Sequence, residues 1–375
     1  MRRLAVVCAL ALVCVAPARA AGTESAPPVD SHAYVIEDAQ TGEILASSNA
    51  HARVAIASIT KLMTVLLTLE HHKLTDVVTV DPRAAEVGEE RIDLEPGQKI
   101  TVHDLLEGAL IQSGNDAADA LALSMAPSYT AFAAMMNAKA AQLGLHDTHY
   151  VRADGLDAPG EYSSAYDVTK LARIVMRNAF VRATVRKETA TLADGEVLHT
   201  WNDLLTELPG TFGVKTGHTD NAGWCQVAAA RGDSGVAIYA TVLGSPSETQ
   251  RDDDLRSLLI WGLAQFRVVP AVQTGRDYAD VSLPYGRGSV PLVARSALLA
   301  TVRLGQGISE TVTAAARASL PVRAGTVLGK VVVRLHGRVL GSRSLVAART
   351  INKPGLARRL GWYAGRTLHH LAHFI

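Results

Sequence analysis

The stretch AIASITKLMT, from Ala55 to Thr64, sets a serine three residues ahead of a lysine where a segment rich in β-branched residues gives way to an apolar helical stripe. Leu62, Leu66 and Leu69 recur at helix spacing from Ser58 to about Glu70. Residues three apart on a helix share a face, so an amine at Lys61 stands beside the hydroxyl of Ser58. It can take the hydroxyl proton if burial or a second cation lowers its pKa. The alternative is a capping serine followed by a solvated lysine, and the four-residue pattern alone is too common to choose between them.

Before this stretch, AYVIEDAQTGEILASSN (33–49) reads as two alternating runs about Gln40-Thr41-Gly42, a β-hairpin. After it, TVHDLLEGALIQSGNDAADALALSMA (101–126) carries an apolar stripe interrupted at Ser113-Gly114. TAFAAMMNAKAAQLGL (130–145) carries another through Phe132, Met135, Met136 and Leu143. Strands return at GTFGVKTGH (210–218), WCQVAAAR (224–231) and VAIYATVLG (236–244), separated by turn residues. A last helix near LRSLLIWGLAQF (255–266) closes the unit. Hairpin, helices and then a β-meander predict an α+β domain, a helical cluster packed on an antiparallel sheet. Beyond Pro270 come short runs such as VSLPYG, LLATVRL and TVTAAAR, with Val331, Val333 and Leu335 alternating ahead of a His336-Gly337 turn. They predict a small all-β domain. It holds no cluster of nucleophile and base, so spacing, docking or partner contact is its expected role.

At 375 residues, 48% hydrophobic and 19% charged, the chain is an ordinary globular mix long enough for two domains. Its start differs in kind: Arg2 and Arg3, an apolar run from Leu4 to Val15, then Ala18-Arg19-Ala20. That is the pattern of a secretory signal peptide over residues 1–20, too short for a bilayer span. The mature chain is expected to begin near Ala21 and to work outside the cytoplasm. Cys8 and Cys14 leave with the signal and Cys225 remains alone, so no disulfide framework is possible. Three of the basic residues lie in the signal and four, Lys353, Arg358, Arg359 and Arg366, near the C-terminus. Setting those seven aside takes the formal +1 to −6 for the body. An acidic body argues against a nucleic-acid partner.

Two further motifs join Ser58 and Lys61. Ser113-Gly114-Asn115 breaks a helical pattern, so a loop there can present a hydroxyl and an amide to a cleft, although the triplet is also plain turn chemistry. Lys215-Thr216-Gly217 stands on a predicted strand, where glycine allows close approach of a ligand backbone and lysine supplies positive charge. The gaps, 55 residues from Ser58 to Ser113 and 102 from Ser113 to Lys215, put the motifs on a helix start, an interhelical loop and a sheet-edge strand. With these in place the chain resembles the serine-type D-alanyl-D-alanine carboxypeptidases, the low-molecular-mass penicillin-binding proteins. They share the S-x-x-K, S-x-N and K-T-G set with class A β-lactamases. The surrounding text narrows it: ASITKLMT, LIQSGNDAADALA, GLDAPGEYSSAYD, GVKTGHTDNAGWC and the TVLGS stretch followed by Arg251.

The resemblance implies a β-lactamase/transpeptidase-like catalytic domain at 21–270, a β-rich domain at 271–350 and an amphipathic anchor at 351–375. It implies that Ser58 attacks the carbonyl between the last two D-alanines of a peptidoglycan stem peptide, with Lys61 as base. Ser113 relays a proton to the leaving amine, Lys215 supports that relay, and Asn115 holds the peptide amide. By the same resemblance Thr216 and Arg251 bind the terminal carboxylate, beside Gly217, arginine being well shaped for a carboxylate. The N–H groups of Ser58 and His218 receive the oxyanion. β-Lactams are expected as covalent inhibitors, and no cofactor or metal is implied. Family members often have proline where Ile56 stands and Asn-Pro where Arg152-Ala153 lie, departures that bear on loop shape.

Three rival readings stand beside this one. A β-lactamase needs a carboxylate to activate the deacylating water, and the GEYSSAYD context of Glu161 lacks the usual E-x-x-L-N pattern. A cysteine protease built on Cys225 and His218 would need side chains that extended chain points to opposite faces. Cys225 is expected to be a buried strand residue. An inactive wall-binding scaffold of the same fold is opposed by the intact Ser58, Lys61, Ser113 and Lys215. In the tail, a helix over 356–375 places Leu356, Leu360, Tyr363, Ala364, Leu368, Leu371, Phe374 and Ile375 on one side. Arg358, Arg359, Trp362, Arg366, His369, His370 and His373 fall on the other. Such a helix lies in an anionic membrane interface or docks on its own domain. With the resemblance, the former implies a periplasmic enzyme attached peripherally to the outer face of the inner membrane. His369 and His373 read as polar face rather than metal ligands, and His71-His72 as a solvated helix end.

Overall fold

The first alternating segment forms the hairpin its pattern requires. β1 (Ala33–Asp38) and β2 (Ile44–Ser48) pair antiparallel, and Gly42 takes φ 77° in the turn between them. The structure is a computed structural model that describes residues 25–372, so the expected signal peptide at 1–20 lies outside the described residues. The chain divides after Gln265 into two units.

In the first unit a 3-10 turn at Ala57–Thr60 runs into α1 (Lys61–His71). The ladder of β3 (Val77–Thr79) and β4 (Lys99–Thr101) flanks α2 (Pro82–Ala85). α3 (Val102–Glu107) continues through a π-helical turn at Gly108–Gln112, breaks at Ser113 and restarts as α4 (Asn115–Met125). α5 (Tyr129–Leu143), α6 (Ala165–Val175) and α7 (Ala179–Thr184) follow, then the ladder of β5 (Thr189–Thr191) and β6 (Val197–His199), then α8 (Leu204–Glu207). β7 (Thr211–Thr219), β8 (Gly223–Arg231) and β9 (Ala237–Ser245) form the meander and α9 (Glu248–Ala264) ends the unit. Several helix starts are set locally. Thr101, Ser128, Ser164 and Ser247 each accept a backbone N–H of the first turn, a cap whose loss costs about 1 kcal/mol.

The sheet order is β2-β1-β9-β8-β7, so the opening hairpin closes onto the end of the meander and β7 is left at an edge. That edge gives the K-T-G strand one side free of ladder partners, available to line a cleft. α1 differs from its expected stripe. Leu62, Met63, Val65 and Leu67 are buried while Leu66 and Leu69 are only half-buried, because α4, α5 and α6 all pack on this helix. A helix apolar on most sides belongs in the middle of a domain, and α1 sits there. His71 is exposed, as expected of a helix end, whereas His72 is half-buried with Nδ1 3.3 Å from Asp76.

In the second unit β10 (Phe266–Val272) precedes β11 (Asp277–Ser282), β12 (Ser289–Ala294), β13 (Leu298–Arg303), β14 (Ser309–Ala314), β15 (Val327–Leu335) and β16 (Arg338–Ala347). β10 pairs with β13, and the other five form an antiparallel sheet in the order β11-β12-β16-β15-β14. Val331 and Val333 are buried, Leu335 is half-buried, and His336-Gly337 turn with φ 47° and 82°. Two successive positive φ values suit a tight hairpin. α10 (Leu356–Ala372) follows. Leu356 and Leu360 are exposed, as one apolar face requires. Trp362, assigned to the polar face by spacing, instead packs edge-on against Tyr285 at 5.3 Å between ring centroids, beside Tyr363. A helical projection cannot register a ring that the neighbouring sheet offers. The side chains of Arg366, Leu368, His369, His370 and Leu371 and residues 373–375 lie outside the described part. Among the described residues no helix is long and apolar enough to cross a membrane.

Candidate active site

Ser58 lies on the 3-10 turn and Lys61 opens α1, which brings the hydroxyl and amine together as the three-residue spacing predicts. Lys61 Nζ lies 2.6 Å from Ser58 Oγ, 2.7 Å from Asn115 Oδ1 and 2.7 Å from the main-chain oxygen of Asp154. Two of these partners can only accept, whereas the hydroxyl can also donate. A neutral amine therefore gives its two hydrogens to Asn115 and Asp154 and turns its lone pair to the hydroxyl. Lys61 is fully buried, and desolvation lowers its pKa to about 8 against the opposing pull of Asp154, Asp119, Asp116 and Glu161.

The turn is shaped by close backbone approaches. Gly155, at φ 83°, faces the turn so tightly that a Cβ would lie 2.1 Å from the Ala57 oxygen. A Cβ on Gly217 would lie 3.0 Å from both the Ile56 oxygen and the Ser58 nitrogen. Ala57 itself takes φ 51° and Ser113 takes φ 67°. Left-handed backbone at a non-glycine residue costs on the order of 1–3 kcal/mol, and here it falls on Ser113 itself and on the residue before Ser58.

Ser113 is the break between the π-helical turn and α4, and its hydroxyl accepts from Lys215 Nζ at 2.7 Å. Lys215, on edge strand β7, also donates to the Thr216 oxygen at 2.9 Å. It too is buried, and desolvation, with the charges of Lys61 and Arg251 adding, drives its pKa well below the usual lysine range. Asn115 donates through Nδ2 to the Gly88 oxygen while its Oδ1 faces Lys61.

A cleft of about 310 Å³ is lined by Ser58, Ser113, Asn115, Thr216, Gly217, His218 and Arg251, with Glu89, Glu90, Trp201, Trp224 and Glu248 completing the wall. Lys61 and Lys215 are the two expected site residues outside this lining. Each reaches a lining serine through its amine. Arg251 is 1% exposed although it borders the cleft. Asp252 holds its Nε and Nη2 at 2.9 and 3.0 Å, Glu248 is 3.4 Å away, and its guanidinium lies 5.5 Å from the centre of the Trp224 ring. The His218 ring lies tilted against the same Trp224 ring, 4.1 Å between centroids. With its Nε/Nη2 edge held by Asp252, the guanidinium keeps its Nη1 hydrogens for another planar anion such as a carboxylate.

Glu161 Oε1 accepts from Thr60 Oγ1 at 2.8 Å, and its Oε2 accepts from the Arg152 and Val151 nitrogens at 2.9 and 3.3 Å. Both oxygens are thus engaged in tying the 151–154 segment to the Ser58 turn. Cys225 is buried opposite Gly217 in the ladder, and burial pushes its thiol up to about 12, which removes the nucleophilic thiolate. The sequence reading missed Trp224, the Asp154 carbonyl and the Glu161 clamp. An aromatic residue seven positions after the K-T-G motif, at the start of the next strand, was a usable signal for Trp224. A main-chain oxygen leaves none.

A family model described as D-alanyl-D-alanine carboxypeptidase matches residues 20–247. The chain is 32% identical over 356 residues to the D-alanyl-D-alanine carboxypeptidase DacC of Escherichia coli (strain K12), covering 90% of this chain and 88% of that one. It is 31% identical over 343 residues to DacF of Bacillus subtilis (strain 168), covering 87% of each. Among solved structures, penicillin binding protein 5 from Haemophilus influenzae is similar, with a TM-score of 0.64 and 27% identity over 88% of this chain and 100% of that one. Family match, relatives aligned across both units and a shared fold agree with the serine, lysine and strand found around one cleft: the chain belongs to the D-alanyl-D-alanine carboxypeptidase family, serine hydrolases of the penicillin-binding kind.

Proposed function

We propose that Ser58 is the nucleophile of this carboxypeptidase and that it releases the terminal D-alanine from peptidoglycan stem peptides ending in D-Ala-D-Ala. The observation that carries the reading is the coordination of Lys61 Nζ, with two pure acceptors and one hydroxyl. Lys61 takes the Ser58 proton as Oγ bonds to the penultimate carbonyl carbon. The oxyanion lies against the N–H groups of Ser58 and His218. The C–N bond breaks as a proton passes through Ser113, next to Lys215, to the leaving amine, and D-alanine departs. Water, deprotonated in turn, adds to the acyl carbon, the ester to Ser58 breaks and the shortened peptide leaves. Asn115 holds the peptide amide, and Thr216, Gly217 and Arg251 frame the terminal carboxylate. A β-lactam enters the same first half of the reaction and stays as an acyl-enzyme.

In this reading residues 21–270 carry the chemistry, 271–350 form the β-rich domain, and 351–375 hold the enzyme at the outer face of the inner membrane, in the periplasm. The exposed Leu356 and Leu360 and the cationic tail support that attachment. Intact-mass analysis with penicillin, peptide mapping and a D-alanine release assay on diacetyl-Lys-D-Ala-D-Ala test the chemistry. An adduct on Ser58 with release is expected, and Ser58→Ala should abolish both. Turnover retained by Ser58→Ala refutes the nucleophile. Deleting residues 355–375 should move the protein to the soluble fraction, and continued sedimentation with membranes refutes the anchor.

A further inference from the structure

Around Lys61 lie charged side chains that this reaction scheme leaves unused. Asp119 stands four residues after Asn115 on α4, so the two share a face of that helix, which packs on α1. It is 1% exposed, and its Oδ1 has no hydrogen-bond partner among the described residues. Buried carboxyl oxygens are seldom left so. Tyr129, at the start of α5, hydrogen-bonds the Asp119 carboxyl. Asp154, whose main-chain oxygen grips Lys61, is fully buried and held by Arg152 through Nε at 2.8 Å and Nη2 at 2.5 Å.

We propose that Asp119 is a positioning residue that tunes the charge state of Lys61: ionised, it favours the ammonium, and protonated, it helps release the amine as a base. The proposal rests on Lys61 being the base. The groups facing the pair are Asp116 on α4, Arg152, Asp154 and Glu161 on the segment between α5 and α6, Tyr129 on α5 and Lys215 on β7. Their other bonds separate their roles. Asp116 receives the Ile92 and Leu94 nitrogens, Asp154 receives Arg152 and the Leu156 nitrogen, and Glu161 receives Thr60 and two backbone nitrogens. Of these carboxyls Asp119 alone keeps an open oxygen among the described residues. Burial, with the Asp154 charge adding, raises its pKa to about 7, beside the value of about 8 for Lys61. Groups that interact in one range titrate together. As pH falls, Asp119 gains a proton and its hold on the ammonium weakens. Protonation of Lys61 is thereby spread over a wider range.

The test is the second-order rate of acylation of the full chain by benzylpenicillin, measured from acid to alkaline pH. The wild type should show an acid limb broader than one ionisation. Asp119→Asn should narrow that limb to a single ionisation and move its midpoint down by roughly one pH unit, so that the variant acylates faster than wild type below the midpoint. Tyr129→Phe removes a bond that favours ionised Asp119, and should shift the midpoint the same way by less. It carries the test if Asp119→Asn does not fold. An unmoved midpoint in the folded variants, with only a uniform loss of rate, overturns the proposal. Acylation of Lys61→Ala with a wild-type pH profile refutes instead the assignment of the base.

Discussion

Lys61 and Lys215 are both buried and each lies within hydrogen-bond distance of a serine hydroxyl, at 2.6 and 2.7 Å, yet the chain surrounds them differently. Lys61 faces four carboxyl groups, which oppose the lowering by burial and leave its pKa at about 8. Lys215 faces Lys61 and Arg251, with Glu90 as its opposing carboxylate, and stays far below the lysine range. Burial alone would treat the two alike, so the local charge ring decides which amine is poised near the working pH. In the proposed binding mode, with the carboxylate at Thr216 and Arg251, an incoming substrate adds negative charge nearer Lys215 than Lys61. On that reading the second lysine is the one whose protonation responds to the ligand.

The largest expected effect that sharpens this contrast is Lys61→Ala, which should slow acylation roughly 10²–10⁴-fold, the size of a lost general base. Lys215→Ala should cost less, and should cost penicillin more than its methyl ester, which lacks the carboxylate. Stopped-flow acylation rates for both ligands read this directly, and equal losses for acid and ester break the comparison. In the wild type the acylation rate should rise with pH through about 8 as Lys61 loses its proton. The sign follows from the amine being the active form.

Next in size is Arg251→Leu. Charged hydrogen bonds contribute about 1.5–3 kcal/mol, so KM for a D-Ala-D-Ala peptide should rise roughly ten- to hundredfold. D-alanine release kinetics check it, and an unchanged KM removes Arg251 from the carboxylate site. A smaller effect is expected in Ser58→Ala, where binding of a D-Ala-D-Ala peptide should be accompanied by proton uptake at Lys215. Calorimetry in buffers of different ionisation heat would show it, and binding heats that do not follow the buffer would make the two lysines equivalent toward ligand. Cys225→Ala should do least, leaving D-alanine release within about twofold of wild type, since the thiol is buried and held protonated.

Much of the fold was legible because its signals are local. The β1 and β2 hairpin follows from alternation around Gly42, and the break at Ser113 follows from a helical pattern that stops and restarts. Burial of α1 was read less well, since a one-sided stripe assumes one packed face and this helix is packed by three others. Trp362 was assigned to the wrong neighbours for a related reason, because its partner Tyr285 is 77 residues away.

By itself the sequence determined the motifs at Ser58, Ser113 and Lys215, the strand and helix types that carry them, and the family to which the chain belongs. Short patterns suffice for these, since hydrogen-bonded spacing and side-chain chemistry are set within a few residues. Only the tertiary structure decided the state of the two lysines. Their pKa values depend on desolvation and on charges at Asp119, Asp154, Glu161 and Arg251 that folding brings in from distant segments, and the interaction of buried charges is governed by distance in space rather than along the chain.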